Sequence, residues 1–316
     1  MSSEHCPCSD TALLAERVRQ YALSAEVGAM ACGFAAVADV AAVADERYRR
    51  WVESGSNATM TYLEKYADVR RNPALLLEGA RTIVSCAFSY ARREHHPNIA
   101  DYALGRDYHD VVRQRLESLA SYLRAAGGGI TRVCVDTAPL RERYWAVECG
   151  VGYIGRNNYL IVPGRGASCV LGEVLWTGTL PADRPCALQC SGCGACVRAC
   201  PTGALHSDGT IDARRCLSYL TIEHRGELPE GIRLGSHICG CDECRRACRE
   251  CDDTEPTAIA EFEASPRLMA LNREAMARLS EEDYREIFRG SSMRRCKLEG
   301  IRRNAQNATD DTPAAD

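Results

Sequence analysis

No stretch of this chain is long and apolar enough to cross a bilayer as a helix. Its longest uncharged apolar run, residues 27–38, is 12 residues, against the roughly 20 that a spanning helix needs. The opening Met-Ser-Ser-Glu-His-Cys-Pro-Cys lacks the basic-then-apolar pattern of an export signal. Cytoplasm is the expected compartment, and no membrane is an expected partner. Nucleotide fingerprints are missing too: no G-x-G-x-x-G follows the first strand and no G-x-x-x-x-G-K-[ST] occurs, so nicotinamide and triphosphate sites have no support. Neither an internal repeat nor a low-complexity tract is present, which leaves repeat architectures without support. Net charge is also small, −4 from 39 basic and 43 acidic residues, so the chain as a whole is no polycation.

Cysteine, by contrast, is abundant, at 19 in 316 residues. Disulfide-dense chains are usually short and exported, which this one is not expected to be. The cysteines concentrate between Cys190 and Cys248. The run Cys190-Ser-Gly-Cys193-Gly-Ala-Cys196-Val-Arg-Ala-Cys200-Pro201 is the C-x2-C-x2-C-x3-C-P signature, whose first three thiolates hold one cluster and whose fourth reaches a second. Cys216, Cys241, Cys244 and Cys248 complete eight. The predicted sets are Cys190, Cys193, Cys196 with Cys248, and Cys200 with Cys216, Cys241, Cys244. Zinc prefers two separated pairs closing one tetrahedron, which this spacing fits poorly. Thr202 and Gly203 predict a tight turn after the run.

Elsewhere the pattern alternates. Asp10 is a candidate cap for a helix carrying Leu14, Val18, Tyr21 and Ala22. Strands are expected over 33–38, 81–89, 131–136, 158–162 and 169–177, and helices over 47–53, 60–66 and 109–126. The proline in Arg70-Arg-Asn-Pro73 predicts extended residues before it. This alternation predicts an α/β layer domain to about residue 180, then a loop-rich cluster region with a turn at Asp208-Gly209. Helices are expected over 268–278 and 281–288, the second opened by Ser280 with Asp283. Residues 1–9, with Cys6 and Cys8, and 309–316 read as tails.

Two further features concern chemistry. Asp136 ends the apolar strand Val133-Cys-Val135 before Thr-Ala-Pro139. Burial there would raise its pKa and keep it protonated as an acid; the alternative is a turn-starting carboxylate or one paired with Arg141 or Arg143. Near the end, Arg289, Arg294, Arg295, Lys297, Arg302 and Arg303 face only Glu299 in sequence. They form a candidate phosphate-binding surface or a plain solvated face. Asp107-Tyr-His109 begins the D-x-H-x-x-G pattern of some cobalamin ligands, but Val112 stands at the glycine, which argues against His109 as a lower ligand.

These residues belong to a larger pattern. Asp136 to Arg143 with Gly150-Val-Gly-Tyr-Ile-Gly-Arg-Asn157 resembles the epoxyqueuosine reductase family. So do Trp51-Val52, Met60-Thr-Tyr-Leu63, Arg70 to Pro73, Tyr102 to His109, Leu171-Gly-Glu173, Cys190 to Ala204, Arg215 to Ile222, Gly240 to Cys244, Gly290 to Arg295 and Arg303-Asn304, in family order. The resemblance implies an oxidoreductase with cobalamin and two 4Fe-4S clusters. It would reduce epoxyqueuosine to queuosine at the wobble position of tRNA, with electrons from an external low-potential donor.

Several finer expectations come with it. Asp136 would be the proton donor, and Arg70, Asp136, Leu160, Leu171, Ser218, Cys241 and Asp242 would contact cobalamin. The six C-terminal cations would hold tRNA, and a monomer is the default. The implied architecture is an α/β cobalamin-binding domain (1–180), a ferredoxin-like two-cluster domain (181–256), a short helical basic segment (257–308) and a tail (309–316). Two departures are visible. Arg249-Glu-Cys251 follows Cys248 where the family has proline, so Cys251 is an alternative ligand. The helical-repeat tail of many members is absent beyond Asn307, which predicts weaker tRNA binding. The competing assignments are a cobalamin and iron-sulfur reductase of a small epoxide or halogenated compound, and a non-enzymatic electron or cobalamin carrier.

Overall fold

The computed structural model describes residues 7–309. The expected tail positions 1–6, with Cys6, and 310–316 lie outside that range. The described residues begin with α1 (Pro7–Leu23), so 7–9, expected as part of the tail, are helical, and Asp10 sits in the first helical turn rather than capping it. Next come β1 (Ala31–Ala36), α2 (Ala42–Glu53), α3 (Ala67–Arg71), β2 (Thr82–Ser89), α4 (Tyr108–Gly127), β3 (Thr131–Cys134) and α5 (Glu142–Glu148). The short pair β4 (Tyr153–Ile154) and β5 (Leu160–Ile161) precedes β6 (Cys169–Trp176).

Four of these strands form one sheet in the order β1-β2-β6-β3, with every pairing antiparallel. Strand β2 is buried along all but its last residue, because helices cover both faces. On one face Val84, Cys86, Phe88, Val174 and Trp176 pack against α1 and α4. Period-2 alternation puts Ile83, Ala87, Leu171 and Leu175 on the other, against Trp145 and Ala146 of α5. In α4, Val112, Leu116, Leu119 and Leu123 are fully buried, each contributing roughly 1.5–3 kcal/mol of hydrophobic stabilisation. Asp107 caps that helix through its own carboxylate, which accepts from His109 N at 3.0 Å.

Two local expectations need correction. Residues 67–71 are helical; the steric restriction of Pro73 reaches only Asn72, at φ −120° and ψ 99°. Of 60–66, only Thr61–Leu63 makes a helical turn, of 3-10 type, because Tyr66 adopts a left-handed φ of 59°.

The cysteine-rich region is loops punctuated by α6 (Ala195–Arg198), α7 (Leu217–Ile222) and α8 (Glu243–Arg246). The expected turn is there: Thr210 N donates to Asp208 Oδ1 at 2.9 Å, closing a bridge between Leu205 and Ile211. The expected helix 268–278 is two, α9 (Pro266–Met269) and α10 (Arg273–Ala277). The Asn272 side chain caps the second by accepting from Ala275 N at 2.8 Å. α11 (Glu281–Ile287) opens on the predicted Ser280/Asp283 capping box. α12 (Lys297–Asn307) closes the structure. Leu268, Met276, Phe288, Met293, Ile301 and Ala305 share one buried cluster with Ile99, Ala103, Leu104 and Ile238, which seats the C-terminal helices on both the sheet-side loops and the cysteine region.

Candidate functional site

Asp136 lies two residues beyond β3 in a left-handed conformation, φ 46°, which aspartate tolerates better than most side chains. Its amide donates to Glu142 Oε1 at 2.5 Å, so the first turn of α5 fixes the loop. The carboxylate stands half-exposed at the end of the sheet and meets the start of α4. His109 Nε2 lies 2.8 Å from Asp136 Oδ2, and His109 Nδ1 lies 2.7 Å from Asp107 Oδ1. The imidazole is thus clamped between two carboxylates. Tyr108 stacks on it, with ring centroids 4.1 Å apart and planes inclined at 25°.

The electrostatics of this group correct one expectation. Partial desolvation pushes the Asp136 carboxyl up, but hydrogen bonds from His109 and Tyr108 and the Arg143 charge outweigh it and hold it below the ordinary carboxylate range. At rest Asp136 is a carboxylate, not the protonated acid the strand-end position suggested. For His109, desolvation is outweighed by Asp107 and Asp136, which push it up to about 9, so the proton sits on the ring. Desolvation and the facing Asp136 push Glu142 up to about 8. Below it Glu173 is fully buried, with Oε1 accepting from Ser85 Oγ at 3.0 Å and Oε2 unpartnered; burial and then Glu142 push it well up. Neither arginine is paired with Asp136: Arg141 goes to Asp45 and Arg143 to the Asn158 carbonyl.

The thiols gather as two groups. Burial pushes the Cys196 thiol up, with Cys248 and Cys190 as charge neighbours. Around Cys244 the neighbours are Cys241, Cys216 and Cys200. Among the described residues no three His, Cys, Asp or Glu side chains converge on a single-ion site. Cys193 is exposed on the loop between Cys190 and Cys196. Cys251 is buried beside Cys248, where Asn157 Nδ2 donates to its sulfur at 3.4 Å. Cys239, just before the ligand candidate Cys241, is also outside the eight and faces Cys296 at 2.9 Å.

The residues expected to contact cobalamin are distributed around this region. Leu160 and Leu171 belong to the apolar cluster under α5, against which Val69 also packs. Next to Val69, Arg70 donates to the Tyr62 carbonyl at 3.3 Å while its Nε is buried without a partner. Ser218 lies in α7 after the ligand Cys216, and Cys241 lies against the Leu217 cluster. Asp242 is buried and accepts from Asp101 N at 2.9 Å. An apolar wall with one orphaned guanidinium nitrogen fits a large amphipathic ligand bearing carbonyl acceptors. His109, held at both ring nitrogens, offers no lone pair to a metal.

The six C-terminal cations do not share one role. Arg289, Arg294, Arg295 and Lys297 are exposed, Arg295 being bound to Glu223 at 2.6–2.8 Å. Arg302 donates to the Leu279 carbonyl, and Arg303 to those of Gly226 and Leu220. Sequence reasoning did not foresee Tyr108, Glu142 or the pairing of His109 with Asp136. The only signal was an Asp-Tyr-His triplet at a helix start.

Comparisons with known proteins agree with this arrangement. Residues 70–137 match the family model described as epoxyqueuosine reductase QueG, DUF1730, and residues 189–250 match the 4Fe-4S double cluster binding domain. The chain is 38% identical over 272 residues to an epoxyqueuosine reductase of Synechococcus sp. (strain CC9605), covering 83% of this chain and 84% of that protein. With the enzyme of Xanthomonas campestris pv. campestris identity is 33%, over 96% of this chain and 88% of the other. A crystal structure of epoxyqueuosine reductase with an epoxyqueuosine-modified tRNA-Tyr stem loop superposes with a TM-score of 0.83 at 28% identity, covering 93% of this chain and 80% of that one. With the sequence blocks, the paired thiol groups and the whole-chain likeness in agreement, the chain belongs to the epoxyqueuosine reductase family.

Proposed function

We propose that this protein reduces epoxyqueuosine to queuosine in tRNA, with Asp136 as the group that delivers a proton to the departing epoxide oxygen. The observation that carries this reading is the placement of Asp136: half-exposed at the sheet end, fixed through its amide by Glu142 and supplied with a proton-bearing partner in His109. Cys190, Cys193, Cys196 and Cys248 would hold one 4Fe-4S cluster, and Cys200, Cys216, Cys241 and Cys244 the other. Arg70, Leu160, Leu171, Ser218, Cys241, Asp242 and Asp136 would border cobalamin. When bound, these groups supply low-potential electrons and a reduced metal centre for the epoxide carbon.

The chain's own contribution is placement and protons. Exposed Arg289, Arg294, Arg295 and Lys297 would meet the phosphates of the anticodon stem while the modified base enters the site. Arg302 and Arg303, tied to main-chain carbonyls, support that surface from within. The division at about residues 180 and 256 into cofactor, cluster and basic helical parts belongs to the same proposal.

The test is anaerobic turnover of epoxyqueuosine-containing tRNA with a chemical reductant, read by nucleoside mass analysis. Wild-type protein should yield queuosine. Asp136→Asn should retain iron and cobalamin and lose product by about 10²-fold or more. Full turnover by that variant removes Asp136 as donor, and no turnover by the loaded wild type removes the substrate assignment.

A further inference from the structure

Turning an epoxide into an alkene takes up two electrons and two protons and releases one water. The C–O bonds break with their electron pairs on oxygen, so that oxygen must be protonated twice in each cycle. Asp136, resting as a carboxylate, carries no proton of its own to give. The proton nearest to it is on His109 Nε2, at a heavy-atom separation of 2.8 Å.

We propose that His109, clamped between Asp107 and Asp136, is the proton store that loads Asp136 during turnover. This deepens the reading above and rests on it. His109 acts through Asp136 and is a positioning residue. The step balances: the Nε2–H bond breaks, its electron pair stays on the ring, the proton passes to Asp136 Oδ2, and Asp136 yields a proton to the leaving oxygen. Electrons for C–O cleavage come from the external low-potential reductant. The neutral ring keeps Nδ1–H, because Asp107 Oδ1 accepts there at 2.7 Å. Nε2 alone therefore empties and refills, and refilling from solvent is open because the His109 side chain is 29% exposed. Transfer from imidazolium to carboxylate is uphill in the resting site, but an alkoxide is a far stronger base than either and draws the proton through.

The charged and titratable groups around this pair come from several elements. Tyr108 hydrogen-bonds Asp136, Glu142 and Arg143 of α5 act on it, Tyr62 faces it from the 3-10 turn, and Arg294 acts on Asp107. The two clamping carboxylates titrate far below His109, whereas the Glu142 carboxyl is pushed toward its range, so the two are separated by variants.

Two measurements test the store. In the full chain with oxidised clusters and no cobalamin or tRNA, nitrogen NMR of labelled histidine should show His109 titrating near 9. In Asp136→Asn its titration should move down by at least a unit. In the loaded enzyme, wild-type turnover should hold level to about pH 8 and fall above it. His109→Gln should lose about 10²-fold at neutral pH and regain rate as pH falls toward the carboxyl range, where Asp136 binds its own proton; Glu142→Gln, whatever its absolute rate, should retain the alkaline fall. Millimolar imidazole should restore part of the rate to His109→Ala. A His109→Gln profile identical in shape to wild type, or a His109 titration unmoved by Asp136→Asn, overturns the proposal. The NMR titration uses no substrate, so its failure is separate from a failure of wild-type protein to act on epoxyqueuosine tRNA.

Discussion

A single torsion and a single ring account for much of the site. The left-handed turn at Asp136 aims a half-exposed carboxylate at His109, and the ring then couples two carboxylates distant in sequence. The clamp also makes stability depend on pH. His109 has a folded pKa raised above its unfolded value near 6.5, so its contribution is complete below that value and lost as pH rises through about 9. Asp107 and Asp136 are lowered, so theirs is present above the ordinary carboxyl range and lost as pH falls through their folded values. The melting-temperature gap between wild type and His109→Gln should therefore be widest between the ordinary carboxyl range and about pH 6.5 and close by about pH 10; a gap constant over that range is the contrary result. The thiols give a second expectation at this scale. Cys248 is the charge neighbour of Cys196, while Cys251 is held by Asn157. Cys251→Ser should keep about eight irons per chain and Cys248→Ser about four, as iron analysis would read.

Between elements, a buried arginine ties the cluster region to the sheet. Arg245 of α8 donates to Ser168 Oγ at 2.7 Å, pairs with Asp101 and lies 3.6 Å from Asp242, all of them buried. Arg245→Met leaves Asp101 and Asp242 with only the more exposed Arg246 and His95 as partners and should cost about 3 kcal/mol in denaturant unfolding. Close approach is equally strict at β1, where a Cβ on Gly33 would stand 1.8 Å from the Cys149 carbonyl; Gly33→Ala should destabilise by about 1–3 kcal/mol or more. Elements of this kind were unevenly legible. The amphipathic stripe of α4 and the β-branched run of β2 were plain because side-chain period and burial coincide. Helix α3 was not, since Pro73 constrains only its immediate neighbour. Helix α5 was obscured because its seven residues are too few for a period to show.

For the molecule as a whole, the C-terminal helices are part of the core. Their buried side chains pack with Ile99, Leu104 and Ile238, and the Asp107 amide donates to the Gly290 carbonyl at 2.7 Å. Removing residues from Gly290 onward should therefore lower thermal stability along with tRNA affinity, whereas neutralising exposed Arg289, Arg294 and Lys297 together should weaken tRNA binding and leave the melting temperature within a few degrees. Cysteine spacing by itself determined the two-cluster character, because ligand sets are written in short local intervals. Hydrophobic period determined the layered arrangement of helices on a sheet, because burial of one face leaves its repeat in the chain. Strand direction, the inward use of Arg302 and Arg303, and the charge state of Asp136 were decided only in three dimensions. Each depends on groups far apart in sequence: which end of the sheet a connection returns to, which carbonyl an arginine reaches, and whether a histidine 27 positions earlier comes within hydrogen-bonding distance of a carboxylate.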